Sequence, residues 1–261
     1  MIVDTAGADA PETDALLRLR GLGKDFGEKT ALGSLTCEVR AGEVVGLLGP
    51  NGAGKTTTMR LLLGLLRPTR GAATFEGLDC TRDALAVKQR IGYSPDEPSF
   101  YDFLSGRETI EFVLRVRAMD VEAGWQRALD LARELDVEDA LASATGSYSH
   151  GMKKKLALLL ALLHGPRLLL LDEPTNGLDP STAVRVRELL RKEAQAGAAI
   201  VISTHHLDLA DRMCDRILVL RSGVLIAEGP PALLRERARV EAGAPLEAAF
   251  LELVREVEPR P

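Results

Sequence analysis

The chain has 261 residues, 46% of them apolar and 27% charged, with a formal net charge of −5 at pH 7 and an isoelectric point near 5.5. Such a length and apolar share support one large α/β domain or two small ones and exclude a disordered polymer, while the acidic balance excludes a whole-surface attraction to nucleic acid and leaves room only for a local basic patch. Cys37, Cys80 and Cys214 are odd in number, far apart and without C-x-x-C spacing, which suggests neither a disulfide framework nor a zinc site and fits the cytosol.

Asp4, Asp9, Glu12 and Asp14 precede the first arginine, the opposite of a targeting peptide. Residues 1–15 are expected to form a mobile acidic tail. From Leu16 to Gly42, alternating apolar and polar residues broken by Gly21, Gly23, Gly27 and Gly42 suggest short antiparallel strands. Phe26 falls at a turn between two of them; its ring either stacks on a nucleotide base or joins a small hydrophobic cluster.

The apolar run Val44, Val45, Leu47, Leu48 leads into Gly49-Pro50-Asn51-Gly52-Ala53-Gly54-Lys55-Thr56, and then into a leucine-rich segment. Strand, glycine loop and helix in that order are what a phosphate-binding loop requires. Small residues let successive backbone N–H groups curl around an anion at the positive end of a helix. Lys55 then reaches the β- and γ-phosphates and the Thr56 hydroxyl holds a magnesium ion.

Leucine spacing predicts a helix over 57–66, stopped by Arg67-Pro68-Thr69-Arg70-Gly71. Strands are expected over 72–75 and 90–94, flanking a short helical piece at 84–88. After the break at Pro95-Asp96-Glu97-Pro98, residues 107–142 read as a helical insertion charged on one face. Tyr148-Ser149-His150-Gly151-Met152 opens an apolar helix, with Ser149 either capping it or contributing to a second anion site. The run Lys153-Lys154-Lys155 is either a solvated face or a basic ligand patch. The apolar run Leu156–Leu163 stops at His164-Gly165-Pro166-Arg167, well short of the ~20 residues that cross a bilayer.

Leu168 to Leu171 form a strand apolar on both faces that ends in Asp172 and Glu173. Open α/β sheets place their ligands at that end, and nucleotide–metal sites need an acidic group there. A loop at Asn176-Gly177-Leu178-Asp179-Pro180, a helix over 181–195 and a buried strand over 198–203 follow, with His205 just past the strand on the same sheet edge. A histidine so placed is better suited to touch a phosphate than to fill a core. A hairpin over 216–227 and an amphipathic C-terminal helix carrying Leu246, Ala249, Phe250, Leu253 and Val254 close the chain.

Taken together, these residues resemble the ATP-binding subunit of an ABC transporter from about Leu16 to Gly229. The resemblance implies a P-loop NTPase of the α/β class with a RecA-like, mainly parallel sheet, an antiparallel β subdomain and an inserted helical subdomain at about 97–160, the whole domain spanning 16–235 before a C-terminal helix within 236–261. It implies ATP and Mg2+ as ligands. Phe26 matches the adenine-stacking aromatic, Gly49 to Thr56 the Walker A loop, and Thr57 a contact to the α-phosphate. Asp172 supports magnesium, Glu173 polarises the attacking water, His205 senses the γ-phosphate, and Asp179 matches a dimer-contact loop.

Ser149 and Gly151 match the signature LSGGQ, although Tyr148, His150 and Met152 replace its Leu, Gly and Gln. Asp96 stands where the family usually has a glutamine at the magnesium edge; it can ligate the metal but cannot donate the amide's hydrogen bonds. The partners implied are a second ATP-binding subunit, in a homo- or heterodimer, and separate integral membrane permease subunits of the export-type branch; no nucleic acid is expected. The location implied is peripheral, on the cytoplasmic face of the membrane. Two other readings remain open at this point: a soluble ABC ATPase acting on ribosomes or DNA, and a non-hydrolytic ATP-binding regulatory subunit.

Overall fold

The structure is a computed structural model that describes residues 15–256, so the expected tail lies outside the described residues except for Ala15. Alternating leucines build β1 (Ala15–Phe26) and β2 (Lys29–Arg40), an antiparallel pair in register from Ala15↔Arg40 to Phe26↔Lys29. The expectation of several short strands gives way to two long ones. Register shifts between Leu19 and Leu22 and between Leu22 and Lys24 bring Gly21 and Gly23 into irregular stretches of a continuous strand, where a bulge takes up the extra residue without ending the ladder.

β3 (Val44–Leu48), buried along its whole length, feeds the glycine loop and α1 (Lys55–Leu62). β4 (Arg70–Phe75) and β5 (Leu78–Asp79) return to the first sheet, whose order is β2-β1-β4-β5. α2 (Ala84–Arg90) leads to β6 (Ile91–Ser94). The helical insertion is α3 (Gly106–Val116) and α4 (Val121–Glu134), with two 3-10 turns before α5 (His150–Leu162). Each helix starts on a side-chain cap. Ser105 and Glu108 form a reciprocal capping box on α3, Asp120 accepts from the Ala123 N–H on α4, and Ser149 accepts from the Met152 N–H on α5.

The chain then forms β7 (Leu168–Asp172), α6 (Pro180–Gln195), β8 (Ala199–Thr204), α7 (Leu207–Met213), β9 (Arg216–Arg221), β10 (Val224–Gly229), α8 (Pro231–Arg237) and α9 (Leu246–Glu256). The second sheet runs β10-β9-β3-β8-β7-β6, parallel throughout except for the edge strand β10.

Strand alternation splits the core across this sheet. Val44, Leu48, Leu169 and Leu171 face the helices α3 to α9, whereas Val45, Leu47, Leu168 and Leu170 face α1 and the antiparallel sheet. Both faces are covered, which is why the central strands read as unbroken apolar runs. α9 lays Leu246, Ala249 and Leu253 into the first of these cores, beside α7 and α8. Among the described residues no helix is long and apolar enough to cross a membrane. Parallel β3, β7 and β8 all point their C-terminal ends to one edge, and the candidate site forms there.

Candidate nucleotide site

β3 delivers the loop Gly49–Thr56 to that edge. Gly52 and Gly54 take φ of 81° and 105°, and a Cβ on Gly54 would sit 2.8 Å from the Ala31 carbonyl oxygen. Only glycine turns the chain there without strain. Lys55 is buried and folds back on its own loop, its Nζ donating to the carbonyls of Gly49 at 2.6 Å and Pro50 at 3.2 Å. Burial lowers its pKa, opposed by the negative charges of Glu173 and Asp172.

The loop lines a cleft of about 430 Å³ that also takes in Thr57 and, at one end, Phe26. The Phe26 ring is 49% exposed and belongs to neither core, with Lys24 Nζ 5.2 Å from its centroid. A half-bare ring beside a phosphate cradle offers a face on which a base can stack.

An adjoining cleft of about 550 Å³ shares Asn51, Lys55 and Thr56 and is walled by Asp96, Asp172, Glu173 and His205. Thr56 Oγ1 lies 3.4 Å from Asp172 Oδ2, too long for a full O–H···O hydrogen bond. Burial raises the Asp172 carboxyl, and the nearby charges of Asp96 and Glu173 add to the rise. A buried carboxylate beside a hydroxyl is an oxygen donor set that suits a hard divalent cation.

Glu173 follows at the strand end with φ of 48°, a left-handed backbone that is strained for a non-glycine residue and that turns its side chain to the cleft edge. Its carboxylate is held at both oxygens. The Thr204 hydroxyl donates to Oε2 at 2.8 Å, the His205 N–H donates to Oε1 at 2.8 Å, and His205 Nδ1 lies 2.5 Å from Oε1. With a carboxylate as its neighbour, that ring nitrogen is the donor of the pair. Thr204 was not singled out from the sequence; a hydroxyl residue ending a buried strand beside His205 was the signal available.

Asp96 also stands on this wall, but its Oδ1 is engaged by Lys154 Nζ at 2.6 Å and by Asn176 Nδ2 at 3.3 Å. Neither partner was expected from the sequence.

Ser149 and Gly151 line neither cleft. Ser149 is exposed at the head of α5, where it caps the Met152 N–H at 3.2 Å. Tyr148 anchors that end, its buried hydroxyl donating to the Ala140 carbonyl at 2.6 Å. Asp179 caps α6 through the Ser181 hydroxyl and the Thr182 N–H, and these hydrogen bonds hold its carboxyl well below the usual range.

The family model described as ABC transporter matches residues 32–176. The chain is 38% identical to the daunorubicin resistance ATP-binding protein DrrA3 of Streptomyces coeruleorubidus, over 83% of this chain and 68% of that one. It is also 38% identical to the Nod factor export ATP-binding protein I of Burkholderia lata, over 85% and 73%. Among solved structures, an ATP-binding subunit of an ABC transporter superposes with a TM-score of 0.86 at 32% identity, covering 92% of this chain and 99% of that one. A dimeric bacterial ABC transporter cassette superposes with a TM-score of 0.76 at 27% identity, covering 82% and 98%. The glycine cradle, the acidic strand end and these likenesses converge: the chain belongs to the ABC transporter family, as an ATP-binding subunit that hydrolyses ATP.

Proposed function

We propose that two copies of this chain, or this chain and a related one, close face to face on two ATP molecules, and that closure and reopening drive export through separate membrane permease subunits at the cytoplasmic face. The observation that carries this reading is the division of the phosphate-binding groups. Lys55, Thr56, Asp172, Glu173 and His205 converge on one cleft, while Ser149 and Gly151 stand outside it on an exposed helix end. A helix N-terminus with an exposed hydroxyl that still has its proton to donate is a ready anion site, and a second chain's γ-phosphate is the anion it suits.

In this reading Phe26 stacks on adenine, the backbone from Gly49 to Thr57 cradles the phosphates, and Lys55 exchanges its two loop carbonyls for β- and γ-phosphate oxygens. Thr56 and Asp172, with Asp96 at the same edge, would hold magnesium, which would supply charge neutralisation on the phosphate oxygens. Glu173, fixed by Thr204 and His205, draws a proton from water as its oxygen bonds to the γ-phosphorus and the bond to the leaving ADP oxygen breaks. His205 stands on the wall of the same cleft, beside the place the γ-phosphate takes. Positioning and electrostatics carry such chemistry.

Two observations support the membrane partner and the direction of transport. Leu65, Phe112 and Val116 are 56%, 51% and 68% exposed beside an apolar groove, with Tyr101 and Phe103 exposed nearby. Surfaces of that kind mark interaction sites. Relatives are named for daunorubicin resistance and Nod factor export. Capture of the Glu173→Gln chain with MgATP from detergent-solubilised cells tests the reading. A polytopic membrane protein in near-equal amount is expected; recovery with ribosomes, with DNA or alone would overturn the transport reading.

A further inference from the structure

Lys153, Lys154 and Lys155 follow Met152 in α5, a few residues past Ser149, and each ammonium group meets an aspartate from a different part of the chain. Lys153 Nζ lies 3.5 Å from Asp102, Lys155 Nζ 3.5 Å from Asp136, and Lys154 Nζ 2.6 Å from Asp96. In the first two pairs the carboxylates are 75% and 70% exposed, and water screens most of their attraction. The third pair differs in kind. The Lys154 side chain is 1% exposed, and its partner stands on the wall of the cleft that holds Thr56, Asp172 and Glu173.

Lys154 Nζ at 2.6 Å and Asn176 Nδ2 at 3.3 Å both donate to Asp96 Oδ1, which sets a cation and an amide on one carboxylate oxygen. An uncompensated aspartate there would add a third negative charge to a cleft already carrying Asp172 and Glu173 and built to receive a polyphosphate. Paired with Lys154 it is net neutral, as the glutamine usual at this position would be. The same lysine sits one residue past the first turn of the helix that Ser149 caps, roughly 7.5 Å along its axis from that cap.

We propose that Lys154 is a positioning residue for the ATP site: it neutralises and orients Asp96 at the metal edge and thereby ties the helix bearing Ser149 to the cleft where hydrolysis occurs. This rests on the assignment of the cleft given above. The arrangement makes two predictions of opposite sign for one substitution. Lys154→Met removes a cation from the neighbourhood of the metal edge and leaves Asp96 charged, so the divalent ion is held more tightly. It also frees the carboxylate from its fixed direction, so turnover falls.

The test compares the full chain with Lys154→Met and with the double variant Lys154→Met, Asp96→Asn. The asparagine keeps an oxygen at the metal edge and loses the charge. Lys154→Met is expected to lower kcat by about tenfold or more through misplacement of reacting groups, while half-saturating Mg2+ falls by about threefold from the altered charge. The same tightening is expected without turnover, as Mg2+-dependent binding of a fluorescent ATP analogue in the Glu173→Gln background. The double variant is expected to regain Mg2+ dependence and most of kcat.

Unchanged kcat and Mg2+ dependence in Lys154→Met would overturn the proposal. So would a loss of kcat that follows thermal stability, with Mg2+ dependence unmoved and no recovery in the double variant, because that is the behaviour of a residue that only fills space. A wild-type chain without Mg2+-dependent ATP turnover would overturn the assignment of the cleft itself, and is thereby distinguished from a failure of Lys154 alone.

Discussion

The molecule presents two surfaces suited to phosphate, and they are built on opposite plans. Around the glycine loop the polar groups are withdrawn from water and partnered by the fold itself. Lys55 rests on two loop carbonyls, and the Glu173 carboxylate is held by Thr204 and His205. At the head of α5, Ser149 and His150 are exposed, and Ser149 caps its own helix. On the proposed reading, the difference means that one half of the site is finished when a single chain folds, and the other only when a second surface arrives. Substitutions in the first half should therefore act on an isolated chain, and substitutions in the second only on the closed pair.

The largest effect is expected at Glu173. Glu173→Gln keeps the shape and removes the base, so steady-state ATPase activity should fall by about a hundred- to ten-thousand-fold while a closed, ATP-bound dimer accumulates in size-exclusion chromatography. Turnover near the unmodified rate would remove Glu173 from its role. Next comes Lys55→Ala, which deletes charge-assisted hydrogen bonds worth about 1.5–3 kcal/mol. Equilibrium titration with a fluorescent ATP analogue should show affinity weakened by the corresponding ten- to hundredfold, and unchanged affinity would contradict the loop's function.

Ser149→Ala separates the two halves most cleanly. ATPase activity is expected to fall by about tenfold, one hydrogen bond to a charged group, whereas the affinity of the monomer for ATP should not move. A matching loss in monomer affinity would mean that Ser149 serves its own chain's nucleotide. The smallest effect is expected for Phe26→Ala, which should weaken nucleotide binding by about 1 kcal/mol, the low end for base stacking because the ring is half-bare, and affect ATP and ADP alike, since the ring lines the loop cleft and not the adjoining one that holds the acidic strand end. Calorimetry with the two nucleotides would reveal any preference.

The sequence exposes the first half of the site better than the second, for a physical reason. A phosphate loop is one uninterrupted stretch, and its glycines and lysine act through backbone that is local in the chain. Asp172, Glu173 and His205 are legible because parallel strands all end at one edge, so position along a strand gives position in space. The alternating pattern of β1 and β2 likewise identified strands, but the glycines within them suggested breaks where the chain forms irregular registers.

Pairings across the fold were not legible. Lys154 and Asp96 are 58 residues apart, and nothing in either neighbourhood specifies the other. Three adjacent lysines look alike in sequence, and the helix turns each in a different direction, so one becomes buried while its neighbours stay near water. The support that Thr204 gives to Glu173 is hidden in the sequence for the same reason: it depends on the sharp left-handed turn at Glu173, which no residue type announces.

The three cysteines have a practical consequence. Cys37, Cys80 and Cys214 are all buried and free, and burial pushes each thiol up to about 12. At neutral pH they are protonated and shielded, and a protonated thiol is a poor nucleophile. The native thiols should therefore react slowly with maleimide reagents. A cysteine introduced at exposed Ala142, on the loop ahead of the signature, would carry a probe alone, and the distance between two such probes would report the approach of one chain to another as ATP is taken up and spent.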